Sequence, residues 1–360
     1  MANLRVDTIK NRSGDNGPIF EGNLSFSSTS HMVLPKGTTG ERPVGVSTGS
    51  MRYNTDTSLV EYWNGTSWSS VSTFDSSFRG VFGGGSPIST IDYILIAGSG
   101  GNSNNFGDLT VPRYGLAACS SSTRGVFGGG IPAVNVIDYI TIATSGNAVD
   151  FGDLTVARAG LAACSSSTRG IFGGGYTPTI QNVIDYITIA SVGNAIDFGD
   201  LTVARYWLAA CSSSTRGVFG GGITPTPTPT LSNTIDYITI ASVGNATDFG
   251  DLSATNYYLS SCSSSTRGVF GGGTPAGNTI DYITIATTGN ATDFGDLTLT
   301  RYGLAACSSS TRGFFGGGVP GLNLIDYITI ATTGNAIDFG DLSVARQLLS
   351  ACSDSHGGLS

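Results

Sequence analysis

Cysteine is the residue type whose regular occurrence in this sequence first suggests chemistry. Six cysteines follow one another at intervals of 45 to 51 residues, each within a segment close to LAACSSS: Cys119, Cys164, Cys211, Cys262, Cys307 and Cys352. An even number can indicate a disulfide framework. Here the even number follows from six copies of one segment, and equivalent atoms of neighbouring copies would lie beyond the roughly 7 Å Cα separation that a disulfide tolerates. We therefore expect free, buried cysteines that pack as small hydrophobic side chains.

Aspartate pairs recur in the motif DFGD, which places two carboxylates three residues apart near a predicted turn. The pairs are Asp150 and Asp153, Asp197 and Asp200, Asp248 and Asp251, Asp293 and Asp296, and Asp338 and Asp341; the first copy has Asn105 and Asp108. Such oxygen atoms could hold Ca²⁺, although no segment has the acidic density or spacing of an EF-hand. We favour turn formation and pairing with arginines such as Arg158 or Arg301. A glycosidase pair is disfavoured because two catalytic acids need unlike environments, and repetition makes these environments alike.

Other catalytic chemistry has little support in the sequence. The two histidines, His31 and His356, lie in separate segments that look flexible, and no GxSxG motif is present. The GVFGGG segments lack the lysine and the following helix of a phosphate-binding loop. We expect the arginine of each RG and the aspartate of each IDY to pair or to cap backbone groups between repeats. The sequence therefore predicts a protein that is not an enzyme, with no catalytic residue, no metal site and no cofactor.

These residues belong to a repeat of four segments that occurs six times. RGVFGGG or a close variant begins at Arg79, Arg124, Arg169, Arg216, Arg267 and Arg312, at spacings of 45, 45, 47, 51 and 45 residues. IDYITIA and FGDLT follow it, and LAACSSS precedes the next copy. We name the segments A (LAACSSS), B (RGVFGGG), C (IDYITIA) and D (FGDLT). Each is rich in β-branched, aromatic or small residues and is bounded by turn-forming residues, which predicts four strands per repeat.

Four strands in each of six repeats predict an all-β fold, a six-bladed β-propeller of four-stranded sheets around a channel. The hydrophobic strand that ends in Gly-Gly, the following strand with a tyrosine, and the aromatic residue before a short strand and an arginine resemble the kelch repeat. The resemblance covers residues 79–352. The phenylalanine of FGDL replaces the usual kelch tryptophan, so the resemblance implies kelch-like architecture but not a kelch set of partners. WD-type repeats fit less well because no Trp-Asp pair occurs.

The phase of the repeat predicts how the propeller closes and which loops share a face. The chain enters at B and leaves at A, so we expect ARQLLSAC near the C-terminus to complete the first blade; the alternative A strand is residues 70–75. Antiparallel strands place the A–B and C–D turns on one face and the B–C and D–A connections on the other. The first set is nearly constant in sequence, whereas the second varies. Varied loops on a rigid scaffold are typical of binding surfaces.

Aromatic side chains in the D–A connections are the candidate receptor-binding residues, together with three prolines of the longest B–C loop. They are Tyr114, Tyr206, Trp207, Tyr257, Tyr258 and Tyr302, and Pro225, Pro227 and Pro229. Aromatic rings suit stacking on sugars or contact with protein at low entropic cost; packing between blades is the alternative role. Trp207, Tyr257 and Tyr258 are preferred because they break the repeat. The prolines favour an extended loop that projects beside these aromatics.

Composition separates the repeat from the residues before it. The 360-residue chain has 53 glycines, 12% charged residues and a net charge of −8, which disfavours a nucleic-acid surface. The absence of an apolar run of about 18 residues predicts no membrane insertion, and the N-terminal residues lack the apolar core of a secretory signal. All lysines and glutamates lie in residues 1–78. We therefore divide the chain into a β-rich segment, 1–75, and the propeller, 76–360.

The first segment carries three predicted strands and motifs with a specific resemblance. Residues 51–71 have the pattern of short strands, with Asn64-Gly65 as a hairpin signal. MANLRVDTI at the start, LPKGTTGERP at 34–43 and GSMRYNTDTSLVEYWNGTSW at 49–68 resemble the amino-terminal segments of tail-fibre and other virion appendage proteins of tailed phages, particularly those infecting marine cyanobacteria. Arrays of RGVFGGG and IDYITIA after such a segment are similar to predicted proteins of those phages.

This resemblance implies a structural protein of the virion, assembled in the host cytoplasm. It implies that residues 1–75 attach to other tail or capsid proteins and that the variable propeller face binds a host cell-surface glycan or protein. The alternatives are a virion adaptor or decoration protein whose propeller contacts other virion proteins, and a polysaccharide depolymerase. Homo-oligomerisation is expected because the short first segment can bury little core alone, and a trimer is familiar in such fibres. No nucleic-acid partner is expected.

Overall fold

The computed structural model describes residues 34–56, 59–70, 78–86, 88–98, 100–225, 230–275 and 277–359. The chain divides into two compact units, residues 1–73 and 74–360. In both units the described residues form an all-β structure of strands and turns, with short 3-10 turns at Thr39–Glu41 and Gly357–Leu359. No helix among these residues is long and apolar enough to cross a membrane. The motif MANLRVDTI lies outside them.

The first unit contains a four-stranded sheet of β1 (Lys36–Gly37), β2 (Met51–Asn54), β3 (Leu59–Trp63) and β4 (Trp68–Ser70). β1 pairs with β2 in parallel, whereas β2, β3 and β4 are antiparallel, in the region where the sequence pattern predicts three strands. The buried carboxylate of Glu61 accepts a hydrogen bond from Arg42 at 2.7 Å and lies 3.3 Å from Nε of Arg52. The hydrogen bond from Arg42 lowers the pKa of Glu61, so this carboxylate stays charged within the sheet.

The second unit contains six four-stranded antiparallel sheets in its described residues, and each has the spatial order A–B–C–D. The strands are, in chain order, β5 (Arg79–Gly83), β6 (Thr90–Leu95), β7 (Asn104–Asp108), β8 (Ala117–Ser120), β9 (Arg124–Gly128), β10 (Val136–Thr141), β11 (Val149–Asp153), β12 (Ala162–Ser165), β13 (Arg169–Gly173), β14 (Tyr176–Thr177), β15 (Thr179–Ile180), β16 (Val183–Thr188), β17 (Ile196–Asp200), β18 (Ala209–Ser212), β19 (Arg216–Gly220), β20 (Ile223–Thr224), β21 (Thr230–Leu231), β22 (Thr234–Thr239), β23 (Thr247–Asp251), β24 (Ser260–Ser263), β25 (Arg267–Gly271), β26 (Thr279–Thr284), β27 (Thr292–Asp296), β28 (Ala305–Ser308), β29 (Arg312–Gly316), β30 (Leu324–Thr329), β31 (Ile337–Asp341) and β32 (Ser350–Ser353). We number the sheets I (β32-β5-β6-β7), II (β8-β9-β10-β11), III (β12-β13-β16-β17), IV (β18-β19-β22-β23), V (β24-β25-β26-β27) and VI (β28-β29-β30-β31). The pairs β14–β15 and β20–β21 are short hairpins in the B–C loops of sheets III and IV.

Sheet I joins the two ends of this unit. Its A strand is β32, which pairs antiparallel with β5 and places Cys352 opposite Val81. The segment ARQLLSAC therefore supplies this strand, and residues 71–75 of the alternative segment lie outside the described residues. The A strands also lie side by side, because β8 contacts β12 and the series continues through β18, β24, β28 and β32 back to β8. Each A strand thus has the A strand of another sheet on both sides.

Neighbouring sheets pack through side chains that fit onto glycines. Phe127 of sheet II is fully buried against Gly83 of sheet I, where an added Cβ atom would lie 2.6 Å from the phenyl ring. Cys119 of sheet II packs in the same way on Gly170 of sheet III, where a Cβ atom would lie 2.6 Å from the sulfur. Equivalent contacts recur between the other sheets. Glycine is needed at these positions because a larger residue would hold the sheets apart.

Buried ion pairs join the D–A connections to the C strands. Arg158 donates a hydrogen bond to Asp185 of β16 at 2.8 Å, and Arg301 donates to Asp326 of β30 at 2.9 Å. The prediction that these arginines pair with the DFGD aspartates is therefore wrong. The DFGD motif lies on the outer D strand, where Asp150 is exposed, whereas the arginines and their true partners are fully buried. A buried guanidinium needs a charged partner, and the aspartate of the C strand is that partner. The exposed DFGD carboxylates are solvated and need none.

The arginine of each RG segment links neighbouring sheets. Arg124 of sheet II donates to the carbonyl oxygen of Ile189 in sheet III at 2.9 Å, and its guanidinium lies 4.7 Å from the ring centroid of Tyr139. Arg169 donates to the carbonyl oxygen of Ile240 in sheet IV at 2.9 Å. These arginines cap backbone groups at the junctions between sheets, as the repeat pattern suggested.

Candidate binding site

A ring of backbone hydrogen bonds surrounds the point where the D–A connections enter the A strands. Six equivalent positions form it: Gly115, Gly160, Trp207, Tyr258, Gly303 and Leu348. The N–H of each residue donates to the carbonyl oxygen of the residue before it in this series, and the N–H of Gly115 donates to Leu348, so the ring closes with N···O distances of 2.7 to 3.0 Å. All six residues have a left-handed backbone, with φ between 55° and 63°.

Three of these positions carry large side chains in a conformation that favours glycine. Trp207, Tyr258 and Leu348 have φ values of 55°, 59° and 56°, which costs roughly 1 to 2 kcal/mol per residue. The indole of Trp207 lies over two of the glycines, since a Cβ atom on Gly115 or Gly160 would come within 2.6 Å or 3.0 Å of the ring. Packing of this kind offsets part of the backbone strain.

The rings in this region form one continuous cluster. Trp207 and Tyr258 have centroids 4.4 Å apart, Tyr257 lies 4.9 Å from Tyr258, and Tyr302 lies 5.7 Å from Tyr258. Tyr206 extends the cluster at 6.1 Å from Trp207. Tyr176 of β14 lies 5.7 Å from Tyr206 and is 46% exposed. We call these six residues the aromatic surface; the five other than Tyr176 are half-buried.

Two concavities adjoin the aromatic surface. A cavity of about 90 Å³ lies between the A strands, with Trp207, Tyr258 and Leu348 among its lining residues. An open depression of about 350 Å³ lies beside it and is lined by Tyr257, Tyr258, Thr274, Tyr302, Val319, Gln347 and Leu348. Aromatic and polar side chains both line the depression, which is the combination that orients a small ligand.

Two phenols of this cluster, those of Tyr206 and Tyr258, remain protonated at physiological pH. Burial raises the pKa of Tyr258 to about 12, and the neighbouring tyrosines add to the effect. Burial also raises the pKa of Tyr206, followed by the influence of Tyr176 and Tyr257. Tyr206 and Tyr258 therefore present neutral hydroxyl groups, which can both donate and accept hydrogen bonds.

The structure brings five of the nine candidate receptor-binding residues together. Tyr206, Trp207, Tyr257, Tyr258 and Tyr302 share the aromatic surface. Packing, the alternative role, applies in part, because Trp207 covers glycines of sheets II and III while remaining partly exposed.

Tyr114 and Pro225 make no ring contact with this cluster among the described residues, although Tyr114 contributes to raising the pKa of Tyr258. Tyr114 occupies the position equivalent to Tyr206 and bridges to Ile131 in its own sheet. Pro225 is exposed and follows β20, whose Ile223 bridges to Tyr206. Pro227 and Pro229 lie outside the described residues, between β20 and β21.

Two residues of this region were not among the sequence candidates. Leu348 occupies the ring position of Trp207 and Tyr258, and alignment of the six repeats could have identified it. Tyr176 is the first residue of a B–C loop, and it reaches the cluster because it bridges to Ala159 at the start of sheet III. Only the pairing of the loop with the D–A connection reveals this proximity.

At the opposite ends of the A strands, serine hydroxyls form a second closed ring. The hydroxyl of Ser165 donates to the carbonyl oxygen of Ser120 at 2.8 Å, and the series continues through the equivalent serines of all six A strands. Nε2 of His356 lies 3.2 Å from the hydroxyl of Ser165 and 3.2 Å from the carbonyl oxygen of Ser120. Gly358 packs so closely that a Cβ atom there would overlap Ser165.

His356 is therefore anchored, and the expectation of a flexible segment is wrong for this residue. The C-terminal segment fits into the serine ring because two glycines follow the histidine, and this contact is invisible in the local sequence. Burial lowers the pKa of His356 to about 4, so its imidazole is neutral at physiological pH.

The described residues contain no cluster of three or more His, Cys, Asp or Glu side chains suited to a metal ion. The six cysteines are free and buried, and burial raises the pKa of each thiol, to about 12 for Cys211 and Cys352. Such thiols are poor nucleophiles. No known protein family matches the chain, and no curated protein matches it.

Proposed function

We propose that residues 79–353 form a six-bladed, kelch-like β-propeller, with sheets I to VI as its blades. Three features support this arrangement: the repeated A–B–C–D order, the unbroken series of contacts between A strands, and the six-membered ring of backbone hydrogen bonds. Sheet I combines strands from both ends of the unit, which is how propellers commonly resist opening.

The protein is, in this proposal, a structural appendage of a phage virion. Residues 1–75 attach to other virion proteins, and the propeller presents the aromatic surface for non-covalent recognition of a host-surface glycan or protein. The first part rests on the resemblance of LPKGTTGERP and GSMRYNTDTSLVEYWNGTSW to virion appendage segments. The second part rests on the chemistry of the aromatic surface, because aromatic rings and hydroxyls suit contact with sugars and proteins.

A single observation supports the proposed role of the aromatic surface in recognition. Gly115, Gly160 and Gly303 show that the hydrogen-bonded ring needs no side chain, since they take the same left-handed backbone without strain. Trp207 and Tyr258 take it at a cost in stability. Large partly exposed rings that the fold does not require are best explained by a role at the surface.

The test is binding of the purified full-length chain to marine cyanobacterial cells. Trp207→Gly and Tyr258→Gly introduce the residue that three other sheets carry at this position. Each variant therefore preserves the ring of backbone hydrogen bonds while it removes one aromatic side chain. We expect each variant to lose about tenfold or more in apparent affinity. Val243→Ala, at an exposed residue in a C–D turn, is the matched control and should bind like the parent.

Equal binding by the parent and both glycine variants would remove the aromatic surface from the proposal. Contacts between the varied loops and capsid or tail proteins in a virion map would instead favour the adaptor or decoration role. Release of reducing ends from host polysaccharide would identify a depolymerase.

A further inference from the structure

Buried arginines occupy the same oxygen-lined position in five of the six sheets. Each donates from the D–A connection to the aspartate of the C strand: Arg113 to Asp138, Arg158 to Asp185, Arg205 to Asp236, Arg301 to Asp326 and Arg346 to Asp92, at 2.6 to 3.0 Å. The guanidinium also donates to backbone carbonyls, as Arg158 does to Phe172 and Val183. The surroundings of the cation are thus a carboxylate and carbonyl oxygens from the B and C strands.

Sheet V lacks this cation. Asn256 stands where the other sheets have arginine, and Asp281 is the aspartate of the C strand. Both residues are buried, each with 7% of its surface exposed. Oδ2 of Asp281 accepts hydrogen bonds from the backbone N–H and the hydroxyl of Ser253, at 3.0 and 2.8 Å. Oδ1 of Asp281 and Oδ1 of Asn256 have no hydrogen-bond partner among the protein atoms described.

The shorter asparagine cannot replace the guanidinium. Its Nδ2 donates to the carbonyl oxygen of Gly272 at 2.7 Å, which holds the amide near the B strand. The carbonyls of Phe270 and Thr279 stand at the sequence positions whose equivalents accept hydrogen bonds from Arg158. Sheet V therefore keeps the oxygen-rich surroundings of the other sheets without the positive charge.

An unpaired buried carboxylate is unfavourable, because burial removes its hydration without supplying a counter-charge. Desolvation accordingly raises the pKa of Asp281, against the lowering effect of Ser253. A cation beside Asp281 would supply the missing counter-charge. The second unpaired oxygen, on Asn256, can take part in this, because an amide oxygen is a good ligand for a hard cation.

We propose that sheet V contains a binding site for a hard metal cation, held by Asp281, by Oδ1 of Asn256 and by backbone carbonyls, in place of the missing guanidinium. Oxygen-only ligands select Na⁺, K⁺ or Ca²⁺ over softer metals. A single carboxylate gives the site one negative charge, as at the arginine positions. The three residues before Asn256, Ser253 to Thr255, are exposed, so the site lies close in the chain to the surface.

This site is separate from the DFGD aspartates, and it departs from the sequence-based expectation of no metal site. It does not depend on the proposed virion function, because its ligands lie in sheet V and in the D–A connection that precedes it. The proposed site has a single carboxylate, so it differs from metal sites built of several acidic or histidine side chains.

The test is thermal unfolding of the full-length chain after removal of metals by a chelator. Melting is compared at equal ionic strength in N-methylglucamine chloride, NaCl, KCl and N-methylglucamine chloride with CaCl₂. We expect at least one of the three metal ions to raise the melting temperature by about 2 °C or more. The ion that raises the melting temperature most is the preferred ion of the site. The melting temperature measured against the concentration of that ion should fit a single binding site.

Two variants and one control separate this site from general salt effects. Asn256→Arg should raise the melting temperature in metal-free buffer and abolish the response to metal ions, because the guanidinium fills the site. Asp281→Asn should abolish the response by removing the carboxylate. Thr255→Arg adds the same charge at an exposed neighbouring residue and should retain the response of the parent.

The proposal would be overturned by equal responses of the parent and Asn256→Arg, or by the absence of any response to the three ions in the parent.

Discussion

Asp354 and His356 lie two residues apart in the C-terminal segment, and burial acts on their charges in opposite directions. Burial raises the pKa of Asp354 to about 6, although the hydrogen bond from the Arg79 N–H opposes this effect. Burial lowers the pKa of His356 to about 4. Both groups therefore favour their neutral forms in the folded state.

The two shifts have opposite consequences for stability as a function of pH. Asp354 binds its proton more tightly in the folded state, so its contribution is full below about pH 3.8 and is lost as the pH rises through 6. His356 binds its proton more weakly in the folded state, so stability is lost as the pH falls from about 6.5 towards 4. In the parent, the two contributions largely cancel between pH 4 and 6.

Single variants should reveal how each residue changes stability with pH. Relative to the parent, His356→Gln should become more stable as the pH falls from 6 to 4, and Asp354→Asn should become less stable, each by about 1 to 3 kcal/mol. The measurement is the free energy of unfolding in urea at several pH values. Parallel pH profiles for the two variants would contradict the assigned environments.

At the scale of the element, the sheets interlock through glycine. The first glycine of each B strand meets a cysteine from a neighbouring sheet, and the glycine three residues later meets a phenylalanine, as at Gly125 with Cys352 and Gly128 with Phe172. Strands therefore carry glycine where a free-standing sheet would carry a larger residue. The glycine content follows from close packing between sheets as well as from turns.

Gly170→Ala tests this interlocking. The new Cβ atom would lie 2.6 Å from the sulfur of Cys119, and we expect a loss of about 1 to 3 kcal/mol in the free energy of unfolding. Cys119→Ala removes the sulfur, so the double variant should lose less than the sum of the two single variants. Gly146→Ala, which would meet no atom within 4 Å, is the control and should change stability by less than about 0.5 kcal/mol. Strict additivity would show that the sheets adjust without this contact.

At the scale of the whole molecule, the second unit depends on pairing between its two ends. β32 supplies the A strand of sheet I and also lies between β28 and β8. Its loss would leave β5 with an unpaired edge and would interrupt the series of A strands. The proposed propeller therefore needs its last strand to exist as a closed structure.

Truncation after Leu349 should abolish cooperative unfolding, because it removes β32 together with the segment that fills the serine ring. We expect an aggregated product, or one without a sharp thermal transition in circular dichroism. Truncation after Ser355 keeps β32 and Asp354 but removes His356, and it should remain folded with a lower melting temperature. A cooperative transition near that of the parent after the first truncation would show that the other five sheets are stable alone.

Much of this architecture is encoded locally and is readable from the sequence. The strands follow from short runs such as IDYITIA, whose alternation and turn-forming boundaries depend only on neighbouring residues. The number and order of the sheets follow from repetition, and the departures at Trp207 and Tyr258 are visible because five other copies supply the comparison. The β2–β4 sheet likewise follows from its alternating residues and the Asn64-Gly65 turn.

The partners of individual side chains were decided only by the tertiary structure. Arg158 lies five residues from Asp153 in the chain but pairs with Asp185, because folding buries the guanidinium beneath the C strand. Nothing near His356 in the sequence indicates the serine ring that surrounds it. Asn256 is visible in the sequence as a missing arginine, but only the fold shows that it and Asp281 are both buried. Periodicity specifies strands because it is a local property, whereas contacts between residues distant in the chain depend on how the sheets pack.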